Sequence, residues 1–352
     1  MNSEHVKEHA RELGFDLCGI APATDLPELA FLSTWLARRY YGTMTWLPRT
    51  KRVRADVRHI VPGARSVIVT GTLYSTESAP SDATAPASAT VSRYAWGDDY
   101  HKIVGRRLDA LLAWMRSQPG PSFDARAYVD TGPVQERVYA MHAGLGWIGK
   151  NTCLINPSLG SWLFLGVIIT TVPLDPDQAG TDQCGTCQLC LQSCPTGALV
   201  EPHVLDARLC ISYLTIEKRG SIDAALRADM GTNVYGCDIC QDVCPYNSRN
   251  VVTAVEAFQP RAGLHQPSLL RMWRQSDAEL AALVAGTAMT RAPVTSLRRN
   301  LAIAIGNSGA QLDAAVLADA DDVDPERPSL QDAGVREAVQ WARDRLAAGG
   351  LT

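Results

Sequence analysis

The sequence predicts three consecutive units: an α/β domain over residues 1–175, a cysteine-dense module over 176–250, and an all-helical region over 251–352. Three observations carry that division. Helix-like and strand-like stretches alternate through the first half. Eight of the ten cysteines then crowd between Cys184 and Cys244. Beyond them only helical periodicity remains.

In the first unit, Ser3 is placed to cap a helix that stops at Gly14, and Phe15–Ala21 follows as a short apolar strand. Leu26–Tyr41 has helical periodicity, and Ser66–Leu73 is a β-branched strand. Ser75–Ser92, rich in Ser, Ala, Thr and Pro, reads as a flexible loop. Asp98–Ser117 is predicted helical and Ala125–Asp130 a strand. Pro133–Ala143 suits a helix with proline near its start, and Trp162–Val172 is a buried strand. In the last unit, Ser276 and Glu279 are spaced as a capping box. Leu297, Leu301, Ala304 and Ile305 mark one helix face, with Arg298 and Arg299 off it. Val335, Val339 and Leu346 stripe another helix. Helix pairs at roughly 40-residue intervals suggest a small HEAT-like array, with a plain helical cap as the alternative.

The chain is 46% hydrophobic and 20% charged, as an ordinary globular protein is. No stretch approaches the ~20 apolar residues of a membrane helix. The acid in Met-Asn-Ser-Glu-His and the lack of an early apolar run argue against a secretory signal. A cytoplasmic protein with no membrane association is expected. The net charge of −4 argues against coating nucleic acid through bulk charge but allows a local basic face. Reduced thiols are the rule in that compartment, so ten cysteines point to metal or redox chemistry rather than disulfides.

The first cysteine block is Cys184-x2-Cys187-x2-Cys190-x3-Cys194-Pro195, and the second is Cys237-x2-Cys240-x3-Cys244-Pro245 with Cys210 upstream. This is the bacterial-ferredoxin spacing, in which the fourth cysteine of a run ligates the other of two [4Fe–4S] clusters. The crossing rule assigns Cys184, Cys187, Cys190 and Cys244 to one cluster. The other takes Cys194, Cys237 and Cys240, with Cys210 the nearby candidate for its fourth ligand. Paired CxxC motifs also bind structural zinc, but the Cys-Pro endings and the tight first loop favour cubanes.

Two nucleotide motifs are incomplete. Gly144-Leu-Gly146-Trp-Ile-Gly149 matches G-x-G-x-x-G but follows a helix-like segment instead of a strand. Asn151 stands after Lys150 where a phosphate loop needs Ser or Thr. Asp99-x-His101 with Gly105 nearly matches a cobalamin motif whose histidine is the lower cobalt ligand, but the glycine falls one residue late. His101 therefore reads as a hydrogen-bonding histidine on a helix.

Several longer strings resemble one family. Tyr128-Val-Asp130-Thr131-Gly132-Pro133, Gly144 to Asn151, Cys210 to Glu217 and Tyr235 to Pro245 resemble epoxyqueuosine reductases, from about the first helix to Ser308. The resemblance implies cobalamin beside the two clusters, an arrangement shared with reductive dehalogenases. It also implies reduction of epoxyqueuosine at the wobble position of tRNA to an alkene. Asp130 matches the family's proton donor. An ordinary aspartate titrates near ~3.9, so a buried or corrin-facing site is expected to keep it protonated.

Arg54, Arg93, Lys150, Asn151, Thr152, Leu154, Ser212 and Asp238 match cobalamin contacts, and Cys153 and Gln135 depart from the family's usual residues. Arg49, Lys51, Arg52, Lys218, Arg219, Arg291, Arg298 and Arg299 are candidate contacts to the tRNA anticodon stem-loop. The region beyond 251 would bind tRNA, although its acidic stretch near Asp313–Asp324 leaves the extent of that surface open. The resemblance also implies an external low-potential electron donor and a monomer. The alternatives are a reductive dehalogenase and a ferredoxin-type electron carrier.

Overall fold

The computed structural model describes residues 1–77, 87–249 and 251–349. Helix α1 (Ser3–Glu12) is capped by Asn2, whose side chain accepts from the His5 N–H at 2.9 Å. Ser3 instead lies in the first turn and donates to the Asp175 carbonyl at 2.9 Å. The chain then forms β1 (Leu17–Pro22), β2 (Ser66–Leu73), α2 (Tyr100–Ser117), β3 (Ala125–Tyr128), α3 (Glu136–His142) and β4 (Leu163–Thr170). The helix expected over Leu26–Tyr41 is shorter, a 3-10 turn running into Phe31–Ala37.

The four strands make one sheet in the order β1-β2-β4-β3, and every pairing is antiparallel. Helix–strand alternation usually implies a parallel sheet with crossovers, so the pairing sense is a departure from that pattern. Its residues explain why the pattern is silent. All eight positions of β2 are buried, because both sheet faces are covered. Ile20, Ile68 and Ile168 pack with Val6 of α1 and Leu108 of α2. Val67, Val69, Val167 and Ile169 pack on the other face with Val138 and Tyr139 of α3. A strand buried on both faces is a continuous apolar run in either sense of pairing.

Next come two short helices, α4 (Leu189–Ser193) and α5 (Ile211–Ile216), then β5 (Asn233–Tyr235) and α6 (Ile239–Asp242). β5 pairs in parallel with Thr90–Val91 and so ties the cysteine module to the sheet domain. Of the loop expected over Ser75–Ser92, residues 78–86 lie outside the described residues. Ser75 and Thr76 at its start are buried rather than exposed.

The C-terminal region contains α7 (Val294–Gly306) and α8 (Ala333–Gly349), packed together, and the capping box at Ser276 and Glu279 is present. One apolar cluster runs from Val6 to Leu346, so the three expected units share a core. Arg298 and Arg299 are not off the apolar face of α7. Every residue from Ser296 to Gly306 is buried, because neighbouring elements surround the helix. Arg298 donates to the Trp273 and Gln275 carbonyls and pairs with Asp277 at 2.8 Å. Arg299 donates to the carbonyls of Leu214, Lys218 and Gly220. Both guanidiniums are consumed inside the protein, which removes them as RNA contacts.

Candidate active site

The eight clustered cysteines face two cavities. Cys184, Cys187, Cys190 and Cys244 border one of about 50 Å³, with Lys150, Asn151 and Tyr246 beside them. Cys194, Cys210, Cys237 and Cys240 border a larger one of about 310 Å³. These are the two sets of four that the spacing groups. The Cys-Pro steps create the crossing. A residue before proline is forced out of the helical region. Cys194 and Cys244 are accordingly extended, with ψ of 107° and 122°, and end α4 and the turn after α6.

A hairpin holds both cavities. Trp147–Ile148 pairs with Leu154–Ile155 across a turn in which Thr152 has φ +66°. At Gly146 any Cβ would sit 2.1 Å from the Ile155 carbonyl oxygen, so its glycine serves close backbone approach. The turn sends Lys150 to one side, donating to the Gly185 and Cys187 carbonyls at 2.6 and 2.9 Å. Asn151 goes to the other side, donating to the Cys240 carbonyl at 3.1 Å. The Trp147 indole N–H lies 3.4 Å from the Cys184 sulfur. The sequence gives no hint of that contact beyond the Trp-Ile-Gly-Lys-Asn string.

Of the expected cobalamin contacts, Asn151, Thr152, Leu154, Ser212 and Asp238 line the larger cavity together. Cys153 lines it too, and among the described residues no histidine does. Asp238 accepts from the Arg93 backbone N–H at 2.7 Å and from the Ser92 hydroxyl. The Arg93 guanidinium lies between Trp96 and Trp162, 5.2 and 4.7 Å from their ring centres, and its buried Nε has no partner among the described residues. Arg54 is elsewhere, donating to the Val134 carbonyl at 3.0 Å beside the Asp130 loop.

Asp130 follows β3 in the left-handed region, at φ +57°. Such a conformation costs ~1–3 kcal/mol in a non-glycine residue and persists only where neighbours impose it. Here the Asp130 N–H donates to the Glu136 carboxylate at 2.8 Å. The Asp130 carboxylate accepts from the Tyr100 hydroxyl at 3.0 Å and lies 3.4 Å from His101 Nε2. His101 Nδ1 is 2.7 Å from Asp99, which also caps α2. His101 thus bridges two carboxylates and is not placed as a cobalt ligand. Rings stack outward from it through Tyr100 and Phe164 to Tyr74, at 4.0, 4.1 and 4.3 Å, and Tyr74 lines the larger cavity.

The electrostatics differ from the expectation of a protonated Asp130. The hydrogen bond from His101 holds its carboxyl below the usual value, and the side chain is 64% exposed rather than buried as expected. Burial would lower His101, but Asp130 and Asp99 outweigh it and raise it. Burial and the neighbouring Asp130 charge push Glu136 up to about 8. These shifts favour the protonated form at His101 and Glu136 and the ionised form at Asp130. His101 is the hydrogen-bonding helical histidine that the sequence predicts; its meeting with Asp130 across the sheet edge leaves no local sequence signal.

Two cavities, one walled by four thiols and the other by five, near an acid–imidazole pair are what an iron–sulphur oxidoreductase needs. A family model for a 4Fe-4S double cluster binding domain matches residues 183–247, and one for "Epoxyqueuosine reductase QueG, DUF1730" matches 54–131. The chain belongs to the epoxyqueuosine reductase family. It is 44% identical to the epoxyqueuosine reductase of Gloeobacter violaceus over 87% of this chain and 97% of the relative. It is 39% identical to that of Escherichia coli, over 97% and 88%. An epoxyqueuosine reductase solved with a tRNA-Tyr epoxyqueuosine-modified stem loop is 27% identical, with a TM-score of 0.87 over 97% of this chain and 89% of that one. The Bacillus subtilis enzyme, solved with its aspartate catalytic loop swung out of the active site, is 26% identical with a TM-score of 0.84, over 97% and 90%.

Proposed function

We propose that this protein reduces epoxyqueuosine at the wobble position of tRNA to queuosine, with Asp130 delivering the proton to the departing oxygen. The observation that carries the reading is Asp130, wedged between Tyr100 and His101 and linked by stacked rings to a cavity walled by five cysteines, Cys153 among them. Removing the epoxide oxygen takes two electrons and two protons and releases water. We assign Cys184, Cys187, Cys190 and Cys244 to one [4Fe–4S] cluster and Cys194, Cys210, Cys237 and Cys240 to the other. An external low-potential donor would feed them.

The lining of the larger cavity fits cobalamin. It offers short polar groups at Asn151, Thr152, Ser212 and Asp238 for a corrin's amide rim, and Arg93 behind it keeps an unpartnered Nε. Bound there, cobalamin would supply a two-electron nucleophile toward carbon, whereas clusters pass electrons singly. Arg54 and Lys150 would support the site through the loops they hold. His101 stores the proton that Asp130 hands on, and the Tyr100 hydroxyl orients the carboxylate. The strained Asp130 backbone suits a loop that changes position, as the Bacillus subtilis enzyme's does.

We retain the division into a cobalamin-binding unit (1–175), a cluster unit (176–250) and a HEAT-like tRNA-binding unit (251–352), in a cytoplasmic monomer. No described helix is long and apolar enough to cross a membrane. Family membership sets the dehalogenase and electron-carrier alternatives aside. The test is anaerobic incubation with cobalamin, a low-potential reductant and a stem-loop carrying epoxyqueuosine, then mass analysis of the digested RNA. Loss of one oxygen atom by the wild type is expected. An unchanged nucleoside, with clusters and cobalamin verified as bound, would overturn the proposal.

A further inference from the structure

Trp46 is a large aromatic residue left 38% exposed, on the short helix Trp46–Arg49. Two contacts fix its surroundings. The Arg291 guanidinium lies over the ring, 5.2 Å from its centre. That guanidinium is itself held in a forked pair with the Glu217 carboxylate at 2.8 and 3.0 Å. The backbone below is anchored on the cluster module, where the Thr43 N–H donates to the Tyr213 hydroxyl at 2.8 Å. A rigid ring with an overlying guanidinium held in place is a stacking platform.

Its neighbours are cationic. Arg49, Lys51 and Arg52 are exposed, and no ion pair is recorded for them among the described residues. A chain of net charge −4 has little reason to gather unpaired cations here unless they meet an anion. The patch is also coupled to the active site. Gln135, five residues after Asp130, donates to the Arg54 carbonyl at 3.1 Å, and Arg54 itself donates to the Val134 carbonyl. Asp130 and Arg291 are close enough for the carboxylate to raise the guanidinium's pKa, though Glu217 does so more.

We infer that Trp46 stacks an unpaired base flanking the modified nucleotide, while Arg49, Lys51 and Arg52 hold the adjoining phosphates. Single-stranded RNA is bound in this way, through aromatic faces and a cationic track. The inference rests on the proposed action on tRNA. It adds a base-stacking position that would set where the wobble nucleotide lies relative to Asp130.

The test measures binding of an epoxyqueuosine stem-loop by fluorescence anisotropy with the cluster-loaded protein, for wild type, Trp46→Ala and Trp46→Phe. Stacking on an aromatic ring is worth enough for Trp46→Ala to weaken binding roughly 5- to 100-fold, with Phe restoring most of it. An abasic site at the stacked position should erase the difference between wild type and Trp46→Ala. Arg49→Ala with Arg52→Ala should flatten the salt dependence, which Trp46→Ala leaves unchanged. Equal stem-loop affinity for wild type and Trp46→Ala, with oxygen removal intact, overturns this inference alone. Intact stem-loop binding with slowed reduction by a protein donor gives the face to that donor and overturns it too. Failure of the wild type to bind the stem-loop overturns both this inference and the proposed function.

Discussion

In the proposed mechanism Asp130 and His101 divide one task. His101 sits 2.7 Å from Asp99 and 3.4 Å from Asp130, and the two carboxylates raise its pKa while Asp130 is lowered. The sign follows directly. A raised imidazole is charged below its pKa and loses its proton as pH rises through it, whereas a lowered carboxyl is already ionised at neutral pH. Oxygen removal should therefore fall as pH rises through the raised imidazole pKa. His101→Gln should slow single-turnover reduction roughly 100-fold and abolish that fall, in a pH profile of the rate. A profile identical to the wild type would exclude His101 as the proton store. Trp147→Phe removes the N–H facing the Cys184 sulfur and should lower the reduction potential of that cluster, read by potentiometric titration with electron paramagnetic resonance. At this scale the cysteines were legible because ligand spacing is local. Asp130 stands out in the sequence through its surrounding string. Its contacts with Tyr100 and His101 do not, because both reach it from another element.

The elements show where a sequence pattern misleads. Arginine is rarely buried, so Arg298 and Arg299 read as solvent-facing. Their partners are carbonyls from loops distant in sequence, which no periodicity reveals. Arg299 is 2% exposed, and its donors reach three carbonyls around α5, the helix that follows Cys210. Arg299→Ala strands those acceptors and should destabilise the protein by roughly 3–5 kcal/mol, as a lowered thermal midpoint of the loaded protein. The hairpin over 147–155 makes a second prediction. Gly146→Ala drives a Cβ into the Ile155 carbonyl. It should displace Lys150 and Asn151 together and cut iron and acid-labile sulfide per chain. Normal iron content in that variant would show that the hairpin does not hold the cluster loops. The capping box at Ser276 and the strand Ser66–Leu73 were read directly, because their signals lie within the element.

For the whole molecule, helix–strand alternation and the cysteine module were legible, whereas the pairing sense of the sheet was not. β2 and β4 are buried on both faces, and a strand's apolar run carries no direction. The shared core from Val6 to Leu346 was equally hidden, since it is made by contacts between units. Cys210 and Cys237 of the larger cavity pack against that shared core, which ties their positions to the sheet domain. The central claim is that electrons from these clusters and a proton through Asp130 remove one oxygen from epoxyqueuosine. Asparagine tolerates the left-handed backbone at this position, so Asp130→Asn removes the acid and spares the loop. The decisive measurement mixes the pre-reduced, cobalamin-loaded protein with epoxyqueuosine stem-loop and follows product and cluster reoxidation in a single turnover. The wild type should form the alkene as its clusters reoxidise, and Asp130→Asn should do neither, with a rate loss of roughly 100-fold or more. Product formation by Asp130→Asn at the wild-type rate would contradict the account.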